Sequence, residues 1–308
     1  MSENLPFDNS PWLIPIYKPA GITSYDVIRE LKPIVFDLLG KGKGRRKLKI
    51  GHFGTLDPFA EGVLLVGTGK ALKLVQYFQT RMSKTYFGVG SLEFATDTGD
   101  CDGQSLKVSE ESSVICLEEI SLHSKKFLGE YEQVPPFFSA VKHEGRPLYE
   151  WAREGVFITK PPVKRNIIDF KVIEAIGEKD FSFECVVSSG TYVRGLWSDL
   201  AQEVGMWGHL KELKRIAWGA FPLDSCLTLP MIDVSIDNFL RPNQFWKLPE
   251  ITLNDEQVKM FIQGQYVWVD QELSPFQWIL DQSGQSCGLG VVVLEDGQEK
   301  LKVEVNFY

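Results

Sequence analysis

The sequence predicts an α+β protein, a large domain over residues 1–249 followed by a small all-β one over 250–308. Three observations carry this. Helical spacing of apolar residues, as in Val27, Leu31, Val35 and Leu38 or in Leu196, Leu200 and Val204, alternates along the chain with strand-like runs at 63–66, 84–94 and 172–187. After residue 250 the apolar stretches shorten to 266–269, 276–280, 288–294 and 301–307, parted by turn residues as in a small barrel. The charge shifts at the same place: residues 250–308 hold ten acids against three lysines, so nearly all of the net charge of −8 falls there.

Taken in order, residues 14–26 read as a short strand, a turn at Pro19-Ala20-Gly21 and a helix start capped by Thr23 or Ser24. Pro33 should kink or break the helix that follows. Lys41, Lys43, Arg45, Arg46, Lys47 and Lys49 then put six basic side chains in nine positions, with Gly40, Gly42 and Gly44 among them. In an acidic protein so dense a basic loop, 40–49, reads as a cationic segment with a role rather than a merely solvated one. Next comes Gly51-His52-Phe53-Gly54-Thr55-Leu56-Asp57-Pro58-Phe59-Ala60-Glu61-Gly62, where three glycines and a proline forbid regular structure. At the centre of this loop lies Asp57, either a turn former or a reacting group. Ala71, Leu74, Val75 and Phe78 suggest one amphipathic helix. Residues 109–128 look helical and then strand-like. The stretch 129–157, with Val134-Pro135-Pro136-Phe137-Phe138, looks like a flap with apolar anchors.

Several classes of function are disfavoured. Gly67-Thr68-Gly69-Lys70 has Leu64 where a P-loop has its first glycine and Ala71 where it has Ser or Thr. The acidic turn 96–103 lacks the first acid of a calcium loop, and its closing glutamate is one position late, at Glu110. Five dispersed cysteines with no Cys-x-x-Cys pair, and four histidines without ligand spacing, argue for reduced thiols and no metal. No stretch approaches the roughly 20 apolar residues of a membrane helix, and Met1 to Trp12 is not built like a signal peptide, so a cytoplasmic protein is expected.

Read together, Lys18-Pro19-x-Gly21, Gly51-His52-x-Gly54-Thr55-Leu56-Asp57-Pro58, Lys84-x-Tyr86, Thr96-Asp97-Thr98-x-Asp100 and Gly190-Thr191-Tyr192-Val193-Arg194 resemble the TruB family of bacterial tRNA pseudouridine synthases. Ser139-Ala140-x-Lys142 and Tyr149-Glu150-x-Ala152-Arg153-x-Gly155 are similar to that family's flap, so the resemblance spans residues 14–219. It implies a catalytic domain around a mixed, largely antiparallel sheet, followed by a PUA-like barrel. It also implies isomerisation of uridine 55 in the T-loop of tRNA to pseudouridine. No cofactor, no guide RNA and a monomeric enzyme acting on the T-arm are expected.

By the same resemblance Asp57 is the catalytic carboxylate. Two routes fit the chemistry, attack on the ribose or removal of its C2′ proton. Arg194 matches the arginine that pairs with this aspartate, expected as a bidentate ion pair. Tyr86 matches the tyrosine stacked on the target base, Tyr192 and Leu213 line the base pocket, and His52 takes part in base flipping. Lys18 is expected to buttress the Asp57 loop. Phe53 stands where the family has threonine, and Phe138 where many members have tyrosine. A tRNA-folding chaperone, or a synthase for another RNA, are the rival readings; the intact set of Asp57, Tyr86 and Arg194 weighs against a purely non-catalytic role.

Overall fold

The first strand, β1 (Trp12–Lys18), is buried over nearly its whole length and leads into α1 (Ser24–Leu39) in a computed structural model that describes residues 11–39, 48–110, 115–230, 235–295 and 297–308. Thr23 caps α1: its hydroxyl accepts the Asp26 N–H at 3.1 Å, and the Asp26 carboxylate accepts the Thr23 N–H at 2.9 Å. Val27, Leu31 and Val35 are buried as their spacing requires. The expected break at Pro33 does not occur. Pro33 lies on the exposed face, where water can serve the Arg29 carbonyl that loses its N–H partner.

Strands β2 (Ile50–His52) and β3 (Glu61–Thr68) flank the glycine-rich loop. The single helix expected around 71–78 is in fact a 3₁₀ segment, Gly69–Leu74, joined to α2 (Val75–Arg81). Ala71 and Leu74 are three apart, which suits a 3₁₀ turn, and Phe78 is four further on. The chain continues through β4 (Lys84–Ser91) and a hairpin of β5 (Phe94–Thr96) and β6 (Ser105–Val108). After α3 (Leu117–Ser124) a 3₁₀ turn, Lys125–Phe127, stands where strand was expected, and β7 (Gly129–Gln133) begins only beyond it. The flap region carries β8 (Lys142–His143), β9 (Arg146–Pro147) and α4 (Leu148–Arg153). The alternating run 172–187 proves to be parts of two strands, β10 (Val163–Ala175) and β11 (Asp180–Val187). Helix α5 (Val193–Glu203), β12 (His209–Trp218), β13 (Phe221–Pro222) and α6 (Pro242–Phe245) complete the larger part.

Nine of these strands form one sheet in the order β1-β3-β12-β4-β11-β10-β7, with β2 added to β3 and β13 to β12, while β5-β6 and β8-β9 pair separately. All its pairings are antiparallel except β3 with β12, which is parallel at Lys214–Glu61 and Arg215–Gly62. The fold class read from the sequence is thus the one observed. That parallel contact needs glycine: Gly62 has φ of +114°, and a Cβ there would lie 2.3 Å from the Arg215 carbonyl oxygen. Tight packing recurs at Gly90 on β4, where a Cβ would sit 2.0 Å from Cε2 of the fully buried Trp197. Gly90→Ala is expected to cost about 1–3 kcal/mol by overpacking. Chemical denaturation should show it as a lowered midpoint with an unchanged slope.

Beyond residue 250 a separate four-stranded sheet runs β14 (Glu250–Thr252), β15 (Phe276–Leu280), β16 (Ser286–Glu295) and β17 (Gln298–Asn306). Residues 266–269 make no strand; they contribute the single bridge Val267–Leu301. Among the described residues the pairing does not close into a barrel. A helix, α7 (Asp255–Ile262), precedes β15, held by a capping box in which Asn254 accepts the Gln257 N–H at 2.9 Å and Gln257 accepts the Asn254 N–H at 3.1 Å. Trp278, Leu289, Val305 and Phe307 of this region share one core cluster with Leu13, Phe53, Leu65 and Phe78. Among the described residues no helix is long and apolar enough to cross a membrane.

Candidate active site

The backbone on both sides of Asp57 is tied to the segment that joins β1 to α1. Ser24 Oγ donates to the Leu56 carbonyl and accepts the Leu56 N–H, each at 2.9 Å. The Pro58 carbonyl accepts the Gly21 N–H at 2.8 Å and the Lys18 ammonium at 3.3 Å. Lys18 is fully buried, and its Nζ also donates to the carbonyls of Pro19 at 2.9 Å and Ile22 at 2.8 Å. Burial pulls its pKa down to about 8, opposed by the nearby Asp57 carboxylate. From below, Phe53 anchors the loop: it is fully buried against Phe78, with ring centroids 5.2 Å apart. The Asp57 side chain, 34% exposed, is left to face a cation.

That cation is Arg194, in the first turn of α5, with a side chain only 4% exposed. Its Nε lies 2.8 Å from Asp57 Oδ2, the N–H pointing off the line to the oxygen, so the contact is an ion pair rather than an aligned hydrogen bond. The bidentate arrangement expected from the sequence is not formed, because the two terminal nitrogens are used elsewhere. Nη1 donates to the Thr98 carbonyl and lies 3.5 Å from Asp100 Oδ2; Nη2 donates to the Phe138 carbonyl at 3.0 Å. One guanidinium therefore joins the Asp57 loop, the acidic turn and the flap. The acids of that turn bond within it: Asp100 Oδ1 accepts the Thr98 hydroxyl at 2.6 Å, and Asp97 Oδ1 accepts the Gln104 N–H at 2.8 Å.

Tyr86 on β4 and Leu213 on β12 are buried in the cluster that contains Leu56 and Ala60 of the loop. Burial pushes the Tyr86 hydroxyl pKa up. Tyr192, half-buried, precedes α5, and Gln133 of β7 clamps its backbone: Oε1 accepts the Tyr192 N–H at 2.8 Å and Nε2 donates to the Tyr192 carbonyl at 2.9 Å. His52 ends β2, half-buried, with Nδ1 buried and unpartnered. Burial first, and Arg215 second, lower its pKa, so the ring is neutral near pH 7. Of the six basic residues of the loop only Lys49 is described, and it is exposed; Lys41, Lys43, Arg45, Arg46 and Lys47 lie outside the described residues.

Two residues to which the sequence assigns no role, Arg215 and the Lys84 of the Lys84-x-Tyr86 motif, lie under the loop. Arg215, 1% exposed, donates Nε to the Val63 carbonyl at 2.7 Å, Nη2 to the Gly54 carbonyl at 3.2 Å and Nη1 to the Tyr86 hydroxyl at 3.3 Å. It thus joins the loop to Tyr86. Lys84 is buried beside it, and both cations lie over the Trp218 ring, at 4.5 and 4.8 Å from its centroid. A signal existed for Arg215, which shares a strand face with Leu213.

A loop carboxylate thus lies against a buried arginine beside a mixed sheet. Residues 42–193 match the family described as TruB family pseudouridylate synthase (N terminal domain), which makes the class that of the pseudouridylate synthases. The chain is 32% identical over 299 residues to tRNA pseudouridine synthase B of Lactococcus lactis, covering 93% of this chain and 84% of the relative. With the protein of the same description from Thermosipho melanesiensis the identity is 42% over 211 residues, 68% of this chain and 64% of the relative. This chain belongs to the TruB family. A solved H/ACA RNP bound to a substrate RNA containing 2′-deoxyuridine shares the fold, with a TM-score of 0.68 at 21% identity over 96% of this chain and 85% of that one.

Proposed function

We propose that this protein isomerises uridine 55 in the T-loop of tRNA to pseudouridine, as a cytoplasmic monomer that needs neither cofactor nor guide RNA. The observation that carries the reading is the Asp57–Arg194 ion pair at 2.8 Å, on a loop whose backbone is fixed on either side of the carboxylate. The reaction breaks the bond from uracil N1 to ribose C1′, turns the base and forms a bond from C5 to C1′, the C5 proton leaving to solvent and N1 taking one up. Nothing is consumed, so one oriented carboxylate suffices, either adding to the sugar or taking its C2′ proton.

In this reading Asp57 and Tyr86 are the groups that meet the target nucleotide, with Arg194 aiming the carboxylate. Tyr192 and Leu213 bound the base pocket. His52, neutral and without a partner for Nδ1, fits the place vacated by a flipped base, offsetting part of the few kcal/mol that unstacking costs. Lys18 supports the loop. The loop from Lys41 to Lys49 supplies phosphate contacts, a role suggested by its charge density in an acidic chain. A tRNA transcript carrying [5-³H]uridine tests the whole: the exchangeable label should be released in stoichiometric amount. A transcript with cytidine at position 55 should release nothing above background. Undiminished release from that second transcript would overturn the assignment of the site.

A further inference from the structure

Beside the Asp57 loop an open cleft of about 480 Å³ is walled by residues of α2, β7 and β10 and by the turn after β11. One wall touches the loop directly, since Gln79 donates Nε2 to the Phe53 carbonyl at 2.6 Å. Ser189 lines the cleft, and its Oγ accepts from Lys84 Nζ at 2.9 Å. Lys84 is 6% exposed and, among the described residues, pairs with no carboxylate. A hydroxyl that accepts from an ammonium is polarised to donate its own proton outward. Of the two cations in the cleft, Lys164 is engaged by Glu130 at 2.8 Å. Arg165 has no carboxylate partner among the described residues, and its guanidinium lies over Gly190, where a Cβ would come within 3.0 Å of Cζ.

We infer that this cleft is a phosphodiester subsite for the substrate RNA, with Arg165 as the contacting cation and Ser189, backed by Lys84, as the neutral donor. The inference rests on the proposed activity only for the identity of the RNA. No aromatic or aliphatic residue lines it to take a base, so the site suits a phosphate rather than a whole nucleotide. Its openness lets a polymer enter and leave, and its wall abuts the loop that would meet the target base. Burial lowers Lys84 to about 7, so a bound phosphate would draw a proton back onto it.

The test is a salt titration of T-arm stem-loop RNA binding by the wild type, Arg165→Gln and Arg165→Lys. Losing one phosphate contact should flatten the slope of log affinity against log salt by about 0.7–0.9 in Arg165→Gln. Arg165→Lys, which keeps the charge, should retain the slope, as a merely structural arginine would not require. Identical slopes for the wild type and Arg165→Gln would overturn the subsite. Uridine 5′-monophosphate binding as tightly as the stem-loop would also overturn it, making the cleft a site for free nucleotide. The two readings fail separately. A flattened slope in a protein that releases no label from tRNA keeps the subsite and removes the activity. Equal slopes in a protein that does release it remove the subsite alone.

Discussion

Asp57→Asn is expected to lower single-turnover release of label from tRNA by at least about a thousandfold while RNA affinity is held. The amide matches the carboxylate in shape but can neither add to the sugar nor accept its proton. Structural collapse is a poor alternative, because the loop is fixed through its backbone: Leu56 is bonded to Ser24, and Pro58 to Gly21 and Lys18. Arg194 keeps the Thr98 and Phe138 carbonyls and the Asp100 carboxylate when Asp57 loses its charge. The geometry around the reacting position should therefore survive the substitution. Filter binding of the same RNA separates affinity from chemistry. Residual turnover within tenfold of the wild type would remove Asp57 from the reaction.

What the sequence made legible divides along physical lines. The Asp57 loop stood out because glycine and proline cannot hide in regular structure, and Val63 to Val66 because a branched apolar run has few other uses. Helix α7 is signalled by the capping-box pattern Asn254-x-x-Gln257 rather than by apolar periodicity, which suggests only short strands there. Pro33 misled in the other direction, since its cost depends on which face it occupies, and spacing alone does not weigh that. The hardest residues to see were Arg215 and Lys84. A cation beside Lys214, or at the start of a strand, reads as solvated. Both are buried because carbonyls, a serine hydroxyl and the Trp218 ring replace water around them, and those partners come from β3, the Asp57 loop, the turn after β11 and the end of β12. Convergence of that kind has no local signature. The pairing of Arg194 with Asp57 likewise joins distant stretches of the chain, and in the sequence only the family resemblance relates the two. The resemblance did not foresee that Arg194 would meet Asp57 through one nitrogen and spend the others on the acidic turn and the flap.

That division of labour makes Arg194→Lys the second large effect. Lysine keeps the charge, and a charge is all that a simple ion pair with Asp57 would need. The guanidinium does more: Nε faces Asp57 while Nη1 and Nη2 hold the Thr98 and Phe138 carbonyls. A single ammonium has no planar fork and cannot reach all three groups in those directions at once. Whichever acceptor it keeps, the carboxylate, the acidic turn or the flap loses its reference point. A displacement of about 1 Å at the reacting group costs about a hundredfold in rate. The expected result is a fall of that size in single-turnover rate at saturating tRNA, with the affinity for tRNA nearly unchanged. Arg194 is 4% exposed and turned toward protein carbonyls, so it is poorly placed to meet a phosphate. If Arg194→Lys instead weakened binding and left the saturated rate intact, Arg194 would be an RNA contact, and the orientation of Asp57 would have to be assigned to other groups, with Lys18 and its three carbonyls first among them.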